Sequence, residues 1–373
     1  MIQISHLCHC LILMEWYIVR RSGKGNLRVA DVCAVVLTYN RQGLLRDCLK
    51  AIQQQTAQCG RIIVVDNAST DGTLEMLRSD FPDVQAVRLR KNVGAAGGFA
   101  AGLRLAAATG AERIWAMDDD VICAPDALAE LVAALDLTEA DGLTPPFVIS
   151  TARAPDGQMT DVPDVNLVRN AVTGFPEYAE YLGHGLVAVT RATLASILIP
   201  RRTFDTFGFP LASMFIYGED AEFTFRVTKN NNPGFLSGKS TVEHRRTQKV
   251  LDILTEQNPL RVQWHGYLAR NHVYTARLHR GRIRVLWRLV LEWRRCVRLA
   301  KLGQFRKASV IARGALAGLW FKPDIADFDS RINEEAIEYM SPDLRHALGF
   351  AITSSDIGRP GPEVTIIGEA RTT

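Results

Sequence analysis

Along the first 135 residues, short apolar runs alternate with stretches whose apolar positions recur at helical spacing. Asp31 to Leu37, Arg61 to Val65, Val84 to Leu89 and Arg113 to Met117 are compact, rich in β-branched residues and closed by polar ones, the pattern of buried strands. Between them, Gly43 to Gln55 carries Leu44, Leu45, Cys48, Leu49 and Ile52 at helical spacing. Leu74 to Arg78 predicts a short helix, Gly94 to about Ala108 an alanine-rich one, and Pro125 to Leu135 a helix with Pro at its first position and Asp126 behind it. Strand and helix in alternation predict an α/β fold with a mainly parallel central sheet covered by helices on both faces. The polar strand ends then gather at one edge, so that Thr38 to Arg41, Asp66 to Asn67, Asn92 and Asp118 to Asp120 line one crevice.

The pattern loosens after Leu135. Gly142 to Phe175 is rich in loop residues, including Pro145, Pro146, Pro155 and Pro163. Tyr181 to Thr190 reads as a strand with His184 between two glycines, and Arg191 to Ile199 as a helix. Met214-Phe215-Ile216-Tyr217 leads into Gly218-Glu219-Asp220, followed by a helix from Glu222 to Val227, a strand from Gly234 to Val242, and His244.

The length of 373 residues allows one large domain with an appendage, or two domains. Net charge is only +4, yet between Arg261 and Arg313 there are fourteen Lys or Arg against one acid, Glu292. Interleaved with Trp264, Tyr267, Tyr274, Trp287 and Trp293, these cations suit an anionic membrane surface. No nucleic-acid module accompanies them, and nucleic acid is not expected as a partner; the plainer alternative is a helical subdomain with a solvated basic face. The seven scattered cysteines without CxxC spacing fit reduced thiols in the cytosol. Residues 1–29 read as an extension: its apolar patch Leu11 to Met14 is too short to span a membrane, and Cys8-His9-Cys10 lacks the further ligands that zinc needs. From about Ser354 the chain reads as a flexible tail.

The candidate chemistry sits where apolar runs end in acids. Asp118, Asp119 and Asp120 repel one another unless a divalent cation with oxygen ligands neutralises them, commonly one that carries a phosphate. A solvated acidic turn is the alternative. Glu219 and Asp220 offer a general base for an attacking hydroxyl, or merely a helix start favoured by the helix dipole. His244 offers an imidazole ligand, or is a surface histidine. The glycines at 94–102 lack G-x-G-x-x-G, and the stretch before Gly238-Lys239-Ser240 has Pro233 where a phosphate loop needs its first glycine, so neither dinucleotide nor Walker chemistry is indicated.

Taken together, Val35 to Arg41, Val64 to Gly72, Asn92 with Gly94 and Gly97-Gly98, Asp118 to Asp120, Gly218-Glu219-Asp220 and His244 resemble the family 2 inverting glycosyltransferases of GT-A fold over residues 31 to 250. Within that family the acidic triplet, the Thr-Tyr-Asn-Arg turn and the segment from Asn92 to Phe99 are most similar to bacterial galactofuranosyltransferases, with rhamnosyltransferases as near relatives. The resemblance implies that Asp66 contacts uracil and that Thr38, Arg41 and Asn92 line the donor site. It also implies that Asp118 and Asp120 hold Mn2+ or Mg2+ with His244, that Asp119 touches ribose or metal, and that Asp220 is the base. Glu219 stands where galactofuranosyl enzymes often have a second Asp, which leaves open which acid of the pair acts. The expectation is therefore a GT-A catalytic domain at 30–250, with a nucleotide half at 30–135 and an acceptor half at 136–250. A basic helical subdomain follows at 251–353 and a tail at 354–373. Its partners would be a UDP-sugar donor, a glycan or polyprenyl-linked acceptor and the inner, cytoplasmic face of the cell membrane. Competing expectations are a rhamnosyltransferase using dTDP-rhamnose, a glycoside hydrolase using the paired acids, and an idle nucleotide-sugar binder.

Overall fold

In the computed structural model, residues 27–229, 232–246, 252–279, 281–323 and 332–349 are described. The extension through residue 26, with Cys8-His9-Cys10, and the tail at 354–373 lie outside them.

Strand β1 (Leu27–Thr38) is central because its residues 32–37 are buried on both faces. Val32, Ala34 and Val36 share one core with Leu45, Cys48, Leu49 and Ile52 of α1 (Gln42–Gln53), Leu74 and Leu77 of α2 (Thr73–Asp80), and Leu128, Leu131 and Leu135 of α4 (Ala127–Ala140). Cys33, Val35 and Leu37 alternate to the other face and meet Phe99 and Leu103 of α3 (Gly94–Ala108). The period of two in a strand requires this split, and burial on both sides explains why the run reads as continuously apolar. Helix α3 approaches the sheet so closely that a Cβ on Gly102 would stand 2.7 Å from Val35 Cγ1 and 2.8 Å from Val65 Cγ2.

β2 (Ala57–Asp66) and β4 (Arg113–Asp118) flank β1 in parallel, and β3 (Gln85–Leu89) lies parallel beyond β2. Leu37 faces Asp118 and Thr38 faces Asp66, so these strands end level with one another. Beyond β4 the sheet is mixed. It contains β5 (Val121–Cys123), β6 (Val148–Arg153), β7 (Met159–Thr160), β8 (Asp164–Val165), β9 (Leu186–Arg191), β10 (Ile197–Pro200) and β11 (Gly234–His244). With β12 (Ile337–Met340) the spatial order is β12-β3-β2-β1-β4-β10-β6-β11-β9-β8.

Three readings of the sequence need correcting. Arg191 to Ile199 is not a helix: β9 ends at Arg191, the chain turns through Ser196 at φ 65°, and Ile197 to Pro200 forms β10 between β4 and β6. Three consecutive apolar residues fit a strand buried on both faces as well as a helix, and the gap in the sheet decides between them. A helix, α5 (Arg201–Phe207), starts only afterwards. Likewise α4 begins at Ala127, so Pro125 precedes the helix instead of opening it. The expected strand from Tyr181 begins at Leu186, and His184 sits in a single 3-10 turn before it.

Past α6 (Glu219–Val227) and β11, helices α7 (Pro259–His279), α8 (Arg282–Lys301) and α9 (Phe305–Trp320) pack around Ile253, Ala269, Val273, Leu299, Ile311 and Ala315. Segment 332–349 then returns to the sheet. β12 pairs antiparallel with β3, and Ile337, Met340 and Leu344 of α10 (Pro342–Ala347) enter the core on the α3 side. The span drawn from sequence as helical to residue 353 therefore ends, among the described residues, as part of the sheet. Cys33, Cys48, Cys59, Cys123 and Cys296 are free, as expected of reduced thiols.

Candidate active site

The acidic triplet is divided between two sets of partners. Asp119 is 2% exposed; its carboxylate accepts from Thr38 Oγ1 at 2.8 Å and from Arg41 Nη1 at 3.1 Å. Asp120 accepts from Arg41 Nη1 at 2.8 Å and meets His244 Nε2 at 3.0 Å. That last contact is set by backbone pairing: β5 runs antiparallel to β11 with Val121 opposite His244, and Arg245 N donates to the Asp120 carbonyl at 2.8 Å. Donor atoms of Asp118, Asp120 and His244 all lie within 4.8 Å of one another.

Burial and crowded charge shift the groups of this cluster in different directions. Burial, together with the charge of Asp120, pushes Asp118 up to about 7, and burial raises Asp119 to about 6 against the pull of Arg41. For Asp120 burial acts upward too, yet the bonds to His244 and the charge of Arg41 hold it below the usual carboxylate range. Burial alone would lower His244, but its bonds to Asp120 and Asp161 raise it to about 9. Two carboxylates and an imidazole are a fitting donor set for a divalent ion that accepts oxygen and nitrogen. The residues present therefore fit Mn2+ or Mg2+.

Along the crevice, Asp66 is fully buried. One oxygen accepts from Ser69 N at 2.8 Å, while Oδ2 has no hydrogen-bond partner and lies 3.9 Å from Arg88 Nε. Burial raises its pKa. A buried acceptor without a donor at the end of a strand is suited to a ligand N–H. Asn92 Oδ1 instead accepts from Gly94 N at 2.8 Å, so it shapes the turn into α3. Asn67, placed from sequence only at the edge of the crevice, clamps the same turn: it accepts from Val93 N at 2.9 Å and donates to the Gly94 carbonyl at 3.1 Å.

Glu219 and Asp220 open helix α6, where the helix dipole favours negative charge. Glu219 is buried with Oε2 unpartnered, and burial plus the charge of Asp220 lift its pKa well above the ordinary value. Asp220 is half-buried, accepts from Ala221 N at 2.6 Å, and is raised by burial. Asp118, Asp161, Glu219, Asp220 and Arg246 line one cavity, with Ala95, Phe99, Thr193, Leu194 and Ala195 as its less polar wall. Asp118 of the triplet thus shares a cavity with Glu219 and Asp220.

Sequence reasoning missed Asp161 and Arg246. Asp161 lies between β7 and β8 at φ 52°, is buried, and meets His244 Nδ1 at 2.7 Å while pairing with Arg246. This leaves Nε2 of His244 to face Asp120 and the metal position, the arrangement that orients ligating histidines. Arg246 follows His244 by two residues, and only its basic character signals it.

Two groups of acids at the ends of strands define a candidate group-transfer site at one edge of the sheet. Residues 33–174 match the family described as Glycosyl transferase family 2. Among curated proteins it is similar to galactofuranosyltransferase GlfT1 of Mycolicibacterium smegmatis, 40% identical over 89 residues, which are 24% of this chain and 30% of that protein. GlfT1 of Mycobacterium tuberculosis is 38% identical over 92 residues, again 24% and 30%. The chain thus matches under a third of the length of these relatives. Among solved structures it resembles GalNAc-T7 with UDP, GalNAc and Mn2+, at TM-score 0.48 and 14% identity over 69% of this chain and 48% of that one. It also resembles S. aureus TarS 1-349 in complex with UDP, at TM-score 0.46 and 14% identity over 82% and 97%.

Proposed function

We propose that this chain is a metal-dependent inverting glycosyltransferase that moves galactofuranose from UDP-galactofuranose to a hydroxyl of a cell-surface glycan or polyprenyl-linked acceptor. The observation that carries this reading is the cavity that Asp118 lines together with Glu219 and Asp220, Asp118 also standing within 4.8 Å of Asp120 and His244 through their donor atoms. The galactofuranosyltransferases matched over 24% of the chain support the choice of donor sugar.

In this reading Asp118, Asp120 and His244 hold Mn2+ or Mg2+, which when bound offsets charge developing on the departing diphosphate. Asp66 accepts from the uracil N–H through its unpartnered Oδ2. Thr38 and Arg41 hold Asp119 against the end of β1, so that Asp119 faces ribose or metal from a fixed position. Asn92 acts through the turn that it closes. Asp220, the more accessible acid of its pair, takes the proton of the acceptor hydroxyl; the oxygen bonds to the anomeric carbon as the bond from that carbon to the diphosphate oxygen breaks, and UDP leaves. One displacement inverts the configuration. Glu219 is the more buried of the two, which leaves Asp220 as the base.

We place the donor in residues 30–135, the acceptor in 136–250 and the membrane contact in the helices that follow, at the cytoplasmic face. Among the described residues no helix is long and apolar enough to cross a membrane. Helix α8 instead turns Ile283, Leu286, Trp287, Val290 and Trp293 to solvent, all on one face, beside exposed Arg282, Arg284, Arg294 and Arg298. Such a face suits the headgroup boundary of an anionic bilayer.

Calorimetric titration with UDP, dTDP and GDP, each with Mn2+ and with chelator, tests the reading. UDP is expected to bind preferentially and only with metal, Asp118→Ala and Asp120→Ala to lose that binding, and Asp220→Asn to keep it while losing transfer. Preference for dTDP would move the donor to rhamnose. Absence of all nucleotide binding in folded protein would overturn the transferase reading and favour hydrolysis by the paired acids.

A further inference from the structure

The segment that delivers Asp220 to the cavity has an improbable backbone. Phe215 lies at φ 65°, ψ −68°, Tyr217 at φ 63° and Gly218 at φ 91°. Two aromatic residues in the left-handed half of φ space are strained, and such strain persists only where the surroundings impose it. The imposing groups come from α7, outside the matched family domain. Asn271 has no exposed surface, and its Nδ2 donates toward three carbonyls of the loop: Met214 at 3.0 Å, Ile216 at 3.2 Å and Tyr217 at 2.9 Å. Arg270 Nη2 donates to the carbonyls of Ser213 and Met214, each at 2.9 Å, while its guanidinium lies over the rings of Tyr267 and Phe321. On the opposite side, Ala96 N in the first turn of α3 donates to the Phe215 carbonyl at 3.0 Å. Gly94 leaves the room: a Cβ there would stand 2.0 Å from that same oxygen.

The loop is therefore held between the helix start on the nucleotide side and α7. We propose that Asn271, supported by Arg270, is a positioning residue for the transfer reaction: it fixes the 213–217 backbone and so sets where Asp220, three residues beyond Tyr217, stands relative to Asp118 and Asp120. This rests on the glycosyltransferase reading. The donor contacts, from Thr38, Arg41, Asp66 and the metal set, lie on other strands. Loss of Asn271 thus separates binding from chemistry.

The test uses full-length Asn271→Ala. Its UDP affinity with Mn2+ and its stoichiometry of one should stay at parental values, while kcat falls on the order of 100-fold with the donor KM unchanged, the scale expected when a catalytic group is misplaced by about 1 Å. A kcat within twofold of the parent would overturn the proposal, as would a parallel loss of UDP stoichiometry, which marks a general folding role. Should Asn271→Ala not fold, Asn271→Ser retains one donor, and a drop of about tenfold in kcat with intact UDP binding is expected; again, no drop overturns it. Hydrogen exchange of the 213–217 amides provides a readout that needs no substrate. It should rise at least tenfold in either variant, and unchanged exchange refutes the clamp. A parent that binds no UDP would instead sink the transferase reading, leaving the exchange result to decide the clamp.

Discussion

His244 shows how much of a site one residue can hold and how little of that is visible in sequence. The histidine itself was named from sequence, just past a predicted strand, through the family resemblance. Its partner Asp161 was not: it lies 83 positions away in a loop whose composition announces nothing. Asp161→Asn should weaken Mn2+ affinity by about 10–100-fold, the usual effect of losing a carboxylate behind a ligating histidine, as read by titration of free Mn2+ with electron paramagnetic resonance. An unchanged affinity would remove Asp161 from the metal centre. Glu222, also unread in the sequence, is fully buried between Arg226 Nε at 3.0 Å and His279 Nε2 at 3.1 Å, tying α6 to the end of α7. Burial alone would raise it, but His279 and Arg226 hold it below its ordinary 4.5. A depressed carboxylate stabilises the fold fully above its unfolded pKa and loses that contribution as pH falls through the folded one. Melting temperature should therefore fall below about pH 4.5. Glu222→Gln should cost about 3–5 kcal/mol at neutral pH, because it strands buried partners, and should flatten that acid limb. A parallel acid limb in the variant would assign the transition to other carboxylates.

At the scale of elements, the parallel half was readable and the mixed half was not, for one physical reason. β1, β2 and β4 are flanked by helices whose own spacing is unambiguous, so each apolar run has one interpretation. Ile197 to Ile199 has no such neighbour in sequence; only the vacant place between β4 and β6 makes it a strand. β7 and β8, two residues each, are below what any pattern can signal. Helix α3 adds a case where composition carried packing information. Its glycines lower helix propensity by about 1 kcal/mol each relative to Ala, yet Gly102 faces two branched side chains of central strands, Val35 and Val65. Overpacking there costs about 1–3 kcal/mol and outweighs the propensity gain. Gly102→Ala should thus lower stability in urea unfolding, and a stabilised variant would show that the sheet yields.

At the scale of the molecule, the C-terminal helices have two surfaces with different tasks. Inward, α7 holds the 213–217 loop through Arg270 and Asn271; outward, α8 displays Ile283 at 77%, Trp293 at 65% and Trp287 at 59% exposure among arginines. The basic and aromatic interleaving was plain in the sequence, whereas the inward grip was not, since Asn271 is an ordinary polar residue in a helix. The protein should sediment with vesicles containing phosphatidylserine or cardiolipin and not with phosphatidylcholine alone. Trp287→Ser with Trp293→Ser should reduce that binding at least tenfold, at parental UDP affinity. Self-association that the double variant abolishes, without vesicle binding, would give the face to a second copy of this chain.

The pairing of Leu89 with Ile337 carries a kinetic consequence. Those two positions are on the order of 250 residues apart, and closing so long a loop is a late event for a folding chain. Until β12 arrives, β3 presents an unpaired edge, and the Arg88 that stands beside Asp66 lacks Glu338, which it meets at 3.2 Å in the finished fold. The surroundings of Asp66 would then be among the last parts of the crevice to mature. The yield of folded protein would depend on how long the bare β3 edge escapes pairing with its like.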